Sequence, residues 1–518
     1  MVESGTMKTQ PKPRLVSESE WTWTIFSLAV GLGVFVRILP LLMTDFPIND
    51  GGMFYVMIRD LNANGLALPV ITTYNALDIP FAYPPLGLYL GAVLVRVGLA
   101  ETTILRWVPT LFSAATILLF FLLARELMGD RPRAALATAL FALTPGDYAW
   151  LLMGGGLTRA LGAVSYLAAI AHAHRTLVSP TWRSTLLATL FCSLVVLSHP
   201  QYAFLAVMGC AIFCMFHVRS RNQLFHASLI VAGTLLLTSP WWGLVILRHG
   251  LEVFTSAGQS GDFGFFLSDL WKNLVQRQTI IPLLTIFRWL GLGWVIVKGR
   301  SDLVVWGFLP YLVDQRSAPI VSMFMFPILA AYGFLDVLPA LVNWLRTREW
   351  QIPKDAALFN FRPLSMGLLG ILFYLFIECC AYAYVIRNMV LPDQAREVMA
   401  WARKNTAADG NFLILTGRKD VMTDPMQEWF PALADRQSIT TIQGLEWTLE
   451  DGFRVRYAGL YGLQSCSDLD CVRSRADRLD APFSYLIVDE RNSVITDSLP
   501  NHGYHIVFEN SRYKVFEE

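Results

Sequence analysis

Residues 22–50 read TWTIFSLAVGLGVFVRILPLLMTDFPIND. Through Met43 the run carries a single charge, Arg37, and it is long enough to cross a bilayer. It is too long for the apolar stretch of a cleavable signal peptide and lacks a small-x-small cleavage pattern, so it predicts a first membrane span. Asp45 and Asp50 follow where the run leaves the membrane. Asp50 precedes GGMFYVMIRDLNANG, a helix-like segment that leads to YPPLG at 83–87.

Ten further apolar segments predict spans: 104–127, 133–152, 157–175, 184–198, 200–217, 224–247, 279–297, 302–313, 318–342 and 364–391. The 302–313 run is short and reads as part of a broken helix. The chain as a whole agrees. Of its 518 residues, 54% are hydrophobic and 16% charged, against about 25% charged in a soluble domain. The expected class is a polytopic α-helical membrane protein with about eleven spans, outer-face juxtamembrane helices and a small C-terminal α/β domain.

Charge is unevenly spread. Residues 393–518 hold 20 acids and 14 bases, while the first 392 hold 20 acids and 27 bases. This predicts a cytoplasmic tail at 1–21, a membrane domain at 22–392 with its first outer loop at 44–103, and an extracytoplasmic domain at 393–518. The basic clusters Lys8/Lys12/Arg14, Arg125/Arg131/Arg133, Arg175/Arg183, Arg219/Arg221, Lys298/Arg300 and Arg346/Arg348/Lys354/Arg362 all fall on the N-terminal side of an eleven-span layout. Positive charge favours the cytoplasm, so the N-terminus is expected inside and the C-terminal domain outside. The layout requires that 84–98, about 15 residues and too short to span, lie on the outer face. Cys466 and Cys471 in CSDLDC suit a disulfide, which persists in an oxidising compartment and agrees with that orientation. The other five cysteines lie in spans as small hydrophobes.

In the C-terminal domain, PDQAREVMAWARKNTAADG predicts a helix with Gly410 as its stop signal. NFLILTG, SYLIVDE, YHIVFEN and RYKVF read as short strands. Between them, EWFPALADRQSITTIQGLEW carries Trp429, Phe430 and Trp447. It has two readings, a surface that covers a groove of the membrane domain or part of the domain's own core.

In the outer loop, the glycines after Asp50 would let backbone approach a ligand closely. Met53, Tyr55, Val56, Ile58 and Leu61 suit an interfacial amphipathic helix. The sequence order is a span, an outer-loop acid, a helix, a PPL string, and then LRWVPTLFSAATILLFFLLARELMGDRPRAALATALFALTP. It resembles the GT-C glycosyltransferases of the protein-mannosyltransferase and aminoarabinose-transferase type. Asp50 matches their acid, and Tyr83–Leu86 match an H-P-P-L string with Tyr83 in place of His. Arg106 through Pro109 match the opening of the next span. The resemblance covers residues 22–175, and the remainder by architecture.

The resemblance implies a transferase using a polyprenyl-phosphate sugar as donor on the outer face, with a lipid, glycan or protein acceptor and membrane lipids around it. An acceptor hydroxyl must lose a proton as it attacks the anomeric carbon, which a carboxylate can take. Asp50 is the expected base and Asp45 the second, as helper or metal ligand. No obligatory metal or cofactor is expected, while a divalent ion stays open. A lipid-phosphate leaving group needs positive charge, and ionisable residues at membrane depth tend to mark function. Arg316, Arg159, His199 and Arg37 lie toward the outer side. Arg316 and Arg159 lead as phosphate ligands because a guanidinium fork matches phosphate oxygens, with His199 and Tyr83 as further substrate-binding candidates. The glycine-rich loop 248–278 has the character of a mobile lid or a linker.

There is no nucleotide-phosphate loop, serine-nucleophile elbow or zinc motif, and no nucleic-acid partner is expected. The function expected is inverting sugar transfer at the plasma membrane during cell-envelope assembly. The rivals are a non-catalytic scaffold and a lipid or glycan transporter. A transporter should show paired broken helices or inverted repeats, and the sequence shows neither.

Overall fold

The computed structural model describes residues 17–259, 266–275, 280–350, 362–490, 495, 499 and 503–517. The basic residues Lys8, Lys12, Arg14 and Lys354, and the glycine-rich centre of the 248–278 loop at 260–265, lie outside the described residues.

Helices α1 (Glu18–Leu42), α2 (Gly52–Ala63), α3 (Leu86–Arg96), α4 (Glu101–Met128), α5 (Arg131–Ala142), α6 (Pro145–Tyr148) and α7 (Gly156–Val178) make the first half of the membrane domain. The second half continues with α8 (Trp182–Val196), α9 (Pro200–His217), α10 (Arg221–His249), α11 (Glu252–Gln259), α12 (Phe266–Val275), α13 (Leu283–Val297), α14 (Ser301–Phe308), α15 (Pro310–Val313), α16 (Ala318–Tyr332), α17 (Leu338–Thr347) and α18 (Arg362–Arg387). A single π-helical turn, Gly333–Val337, joins α16 to α17. Among the described residues, six helices are long and apolar enough to cross a membrane: α1, α4, α9, α10, α16–α17 and α18. Shorter apolar helices (α3, α8, α13 and α14–α15) accompany them.

Each of the eleven segments expected to span contains helix, with one notable change. The 133–152 segment is not one helix. It stops at Ala142, and α6 and a 3₁₀ turn at Ala149–Leu151 follow. Pro145 has no amide hydrogen to continue the ladder, and its ring opposes the carbonyl four residues earlier. The interruption lets Gly154–Gly156 turn back toward the first outer loop.

Local sequence sets the helix ends. Ser17 and Glu20 form a reciprocal capping box that starts α1. At the other end of α1, Arg106 of α4 donates to the carbonyls of Leu41 (3.1 Å) and Thr44, adding side-chain donors where the helix ladder runs out. Arg37 is neither snorkelled nor placed for phosphate. It is fully buried, donating to Gly33 O, Ala142 O and Ser113 Oγ, with its guanidinium 4.4 Å from the centre of the Tyr148 ring. It ties α1 to α4 and to the end of α5.

The C-terminal domain comprises α19 (Asp393–Asn405), β1 (Asn411–Leu415), α20 (Pro425–Ala434), β2 (Gln437–Ser438), α21 (Gly452–Leu463), α22 (Leu469–Arg478), β3 (Tyr485–Asp489), β4 (His505–Glu509) and β5 (Tyr513–Glu517). Its sheet has the order β2-β1-β3-β5-β4. Strands β2, β1 and β3 are parallel, and β5 is antiparallel to β3 and β4. The four strand-like runs of the sequence form β1, β3, β4 and β5. The apolar centres of β1 and β3 are buried, as expected for parallel strands covered on both faces. Cys466 and Cys471 are joined by a disulfide.

The C-terminal domain is packed onto the first outer loop. Trp429 Nε1 donates to Asn49 O (2.8 Å), and its ring lies edge-on to Phe46. Tyr74 donates to Glu428 O (2.7 Å), and Asn75 exchanges two hydrogen bonds with the Ser438 backbone. The EWFPAL segment belongs to the domain's own core and also packs against the loop that follows α1. Trp429 faces the loop while Phe430 packs on Phe412 inside the domain. A Cβ on Gly52 would stand 2.4 Å from Glu428 O, so Gly52 admits the backbone of α20, while a Cβ on Gly51 would stand 3.1 Å from the Gly154 backbone.

Candidate active site

Three backbone segments meet around Asp50. The stretch just after α1 runs beside the turn before α7, where Gly154 N donates to Ile48 O (2.9 Å). Asn49 N donates to Met389 O, and Ile48 bridges to Val390 at the exit of α18. The N-terminus of α20 closes the third side.

Within this frame the Asp50 side chain is 13% exposed and paired with Arg159, itself 11% exposed. Asp50 Oδ1 accepts the Gly155 N–H (2.7 Å), and Oδ2 accepts Arg159 Nη2 (2.9 Å). Gly155 caps α7, so the carboxylate sits at the positive end of a 23-residue helix. Arg159 is fixed in turn. Its Nη1 donates to Trp150 O (2.8 Å), and its guanidinium lies 4.2 Å from the centre of the Trp150 ring. A Cβ on Gly155 would come within 2.6 Å of Asp50 Oδ2, so only glycine leaves room for this carboxylate.

Glu428 is a member of the site with no motif of its own. Buried on α20, its Oε1 accepts the Gly51 N–H (2.7 Å). Burial first, and then the negative charge of Asp50, push its carboxyl up to about 8. The only sequence signal was the Trp429–Phe430 segment beside it, since a lone Glu in a soluble-domain helix is ordinarily solvated.

A second set of side chains adjoins the first. Tyr83 OH lies 3.3 Å from Thr158 Oγ1, one residue before Arg159. The Tyr83 ring meets Phe54, His199 and Trp447 edge-on, at centroid distances of 4.9, 6.2 and 5.9 Å. Burial pushes the Tyr83 hydroxyl up to about 12, so it stays protonated. His199, in the turn before α9, is buried, and its Nδ1 has no hydrogen-bond partner among the described residues. Burial, and then Arg159 and Arg316, push this imidazole well below its ordinary value and keep it neutral. Arg316 also acts on Glu446, whose carboxyl burial pushes up while its backbone hydrogen bonds and Arg316 oppose the rise.

The structure thus gathers Asp50, Tyr83, Arg159, His199 and Arg316 from five separate stretches of the chain. Asp45 is not part of this group. It is exposed, and its carboxylate pairs with Arg396 of α19 (2.7 Å), a guanidinium shared with Asp393. Against a burial penalty, that pairing holds the Asp45 carboxyl below its ordinary value. The four residues between them, including Pro47, turn the backbone and aim the two acids at different partners. At one rim, α11 packs on the 445–447 turn, where Ser256 Oγ donates to Glu446 O (2.9 Å) and accepts the Glu450 N–H (2.9 Å). The start of the 248–278 loop is therefore an ordered helix beside the site.

The chain thus combines a polytopic helical domain, helices in the loop after α1, and an acid held at the N-terminus of a later helix. Two solved structures of ArnT from Cupriavidus metallidurans are similar over 96% of this chain and 98% of theirs. The apo form has 15% identity and a TM-score of 0.54, and the form bound to undecaprenyl phosphate has 13% and 0.50. The arabinofuranosyltransferase AftD from Mycobacteria is similar over 97% of this chain but 40% of its own, with 15% identity and a TM-score of 0.55. No protein-family model and no curated protein sequence matches the chain. At these identities the likeness concerns the fold. The chain has the GT-C glycosyltransferase fold and is a multi-pass membrane protein.

Proposed function

We propose that the protein transfers a sugar from a polyprenyl-phosphate carrier to an acceptor hydroxyl at the outer face of the membrane, with Asp50 as the base. The observation that carries this reading is the Asp50–Arg159 pair at the N-terminus of α7. A carboxylate has about four acceptor positions, and the protein's hydrogen bonds to Asp50 occupy one on each oxygen. Each oxygen keeps a lone pair for an incoming hydroxyl. Arg159 likewise has donors beyond the two it uses.

The acceptor oxygen attacks the anomeric carbon from the face opposite the phosphate, and the configuration inverts. Its proton passes to Asp50, and the carbon–oxygen bond to the lipid phosphate breaks with its electron pair on the phosphate. Arg159, with Arg316 nearby, stabilises the charge that develops there. Neutral Glu428 keeps a second negative charge away from Asp50, an arrangement of two carboxyls held in different protonation states. His199 and Tyr83 offer neutral polar contacts to the sugar. The fold of ArnT, seen with undecaprenyl phosphate in one structure, supports a lipid-phosphate donor. The acids and Arg159 act without a resident cofactor in this scheme, and the basic clusters and the Cys466–Cys471 disulfide favour an inside N-terminus and an outside C-terminal domain.

The test is release of polyprenyl phosphate in membranes supplied with polyprenyl-phosphate monosaccharides, wild type against Asp50→Asn. The substitution keeps the shape and removes the base, so turnover should fall by about 10²–10⁴-fold at equal expression. Undiminished turnover in the variant would remove Asp50 from the mechanism. Absence of turnover in the wild type across the donor panel would favour the scaffold reading.

A further inference from the structure

A second cluster of ligating side chains lies at the other end of the same helices. His174 sits near the C-terminus of α7, His217 ends α9, and Asp302 begins α14. At 1.5 Å per residue, His174 is about 22 Å along α7 from Arg159, and His217 about 27 Å along α9 from His199. The cluster is therefore separate from the Asp50 site. One ligand atom from each of the three residues lies within 4.8 Å of the other two.

We infer that His174, His217 and Asp302 form a binding site for a divalent transition metal of the zinc class. Four observations converge. The donor set, two imidazoles and a carboxylate, is one that zinc takes with a water in the fourth position. His217 Nε2 and Asp302 Oδ2 are 3.3 Å apart, and donors at about 2.0–2.1 Å from a tetrahedral ion lie about 3.4 Å apart. His174 is buried and, among the described residues, neither ring nitrogen has a partner within hydrogen-bond geometry, Nδ1 standing 3.5 Å from Glu126 Oε1. A buried imidazole left in this state is costly unless something ligates it.

The fourth observation is the surrounding shell. Glu126 beside His174 Nδ1 is the partner that fixes a ligating imidazole and raises its basicity. Glu126 is itself held by Arg175, through Nη2 (2.6 Å) and Nε (3.0 Å). Arg300 forks onto Asp302, with Nε on Oδ1 and Nη2 on Oδ2, both at 3.0 Å. Each carboxylate oxygen retains a further lone pair, so Asp302 can stay oriented by Arg300 while Oδ2 ligates. The metal replaces the His217–Asp302 hydrogen bond and draws in His174. It would staple α7, α9 and α14 together at the end opposite the transfer site.

The experiment uses the full chain, purified in detergent without a polyhistidine tag, stripped with chelator and then titrated with Zn²⁺ and Co²⁺. Wild type should retain one equivalent of zinc after desalting. It should raise its Tm with Zn²⁺, and with Co²⁺ it should develop the visible absorption of a tetrahedral centre. His174→Gln, His217→Gln and Asp302→Asn should each lose the retained equivalent, while His172→Gln, a neighbour outside the cluster, should keep it. Glu126→Gln should weaken binding by about 10–100-fold without abolishing it. The wild-type cobalt spectrum does not depend on any variant folding. No retained zinc, no Tm shift and no cobalt absorption in the wild type would overturn the assignment. So would binding that persists in all three ligand variants. Asp50→Asn should leave the metal stoichiometry unchanged, so this inference and the transfer reading fail independently.

Discussion

Glu428→Gln offers the sharpest probe of the coupled carboxyls. Glu428 is buried, and burial with Asp50 nearby raises it from an ordinary value of 4.5 to about 8. Below about pH 4.5 the folded and unfolded chains both hold the proton, and the group contributes no penalty. Between about 4.5 and 8 the unfolded chain releases the proton and the folded chain does not. The folded state then loses about 1.4 kcal/mol per pH unit relative to the unfolded one, and above about 8 the loss levels off. Over that window the total is on the order of 3–5 kcal/mol. Glutamine cannot ionise, yet its oxygen can still accept the Gly51 N–H that Glu428 Oε1 holds at 2.7 Å. The variant should therefore match the wild type in thermal stability near pH 4.5 and gain on it steadily up to pH 8. Thermal unfolding in detergent, followed by intrinsic fluorescence from pH 4.5 to 8.5, reads the difference directly. A gap independent of pH, or one that shrinks as pH rises, would refute the coupled-carboxyl account. In an Asp50→Asn background the window should move to lower pH, because the nearby negative charge has gone.

Gly52→Ala places a Cβ 2.4 Å from the Glu428 carbonyl oxygen, and backbone cannot step aside cheaply. The variant should lose about 1–3 kcal/mol and expose the C-terminal domain to limited proteolysis. An unchanged Tm and digestion pattern would contradict the packing described. Arg159→Lys keeps the charge but gives up the planar fork that bridges Asp50 and Trp150 O. Transfer should fall by about 10²-fold, read as polyprenyl phosphate released per unit protein, and a wild-type rate would argue against positioning by Arg159. Replacing both Cys466 and Cys471 by Ser opens a short loop with a sequence separation of 5. The cost should be about 2 kcal/mol by thermal unfolding, and peptide mapping of the native protein without reductant should recover the linked peptide. Recovery of free thiols alone would argue against an oxidising compartment.

Much of the site was visible in the sequence because charged residues beside apolar runs are conspicuous. Asp50, Arg159, His199 and Arg316 each stand at the edge of a long hydrophobic segment, where an ionisable group is costly enough to draw attention. Glu428 escaped notice because its helix belongs to a domain of ordinary composition, where nothing marks a carboxyl as buried. Asp45 was expected to act beside Asp50. It shares a short loop with Asp50, yet the chain turns between them and delivers it to Arg396. The His174–His217–Asp302 group has no spacing signature, because its members come from three helices and meet only at their ends.

The sequence by itself determined the membrane class, the approximate helices, the strands of the C-terminal domain and the likeness to the GT-C architecture. Hydrophobic run length and charge are local properties, and lipid admits few backbone solutions. Only the tertiary structure decided which polar groups meet. Arg159 on Asp50, Gly155 beneath that carboxylate, and Glu428 against the Gly51 amide join residues more than 100 positions apart. Side-chain identity marks which groups need a partner, but the partner is assigned by the packing of helices and domains, and no local pattern encodes it.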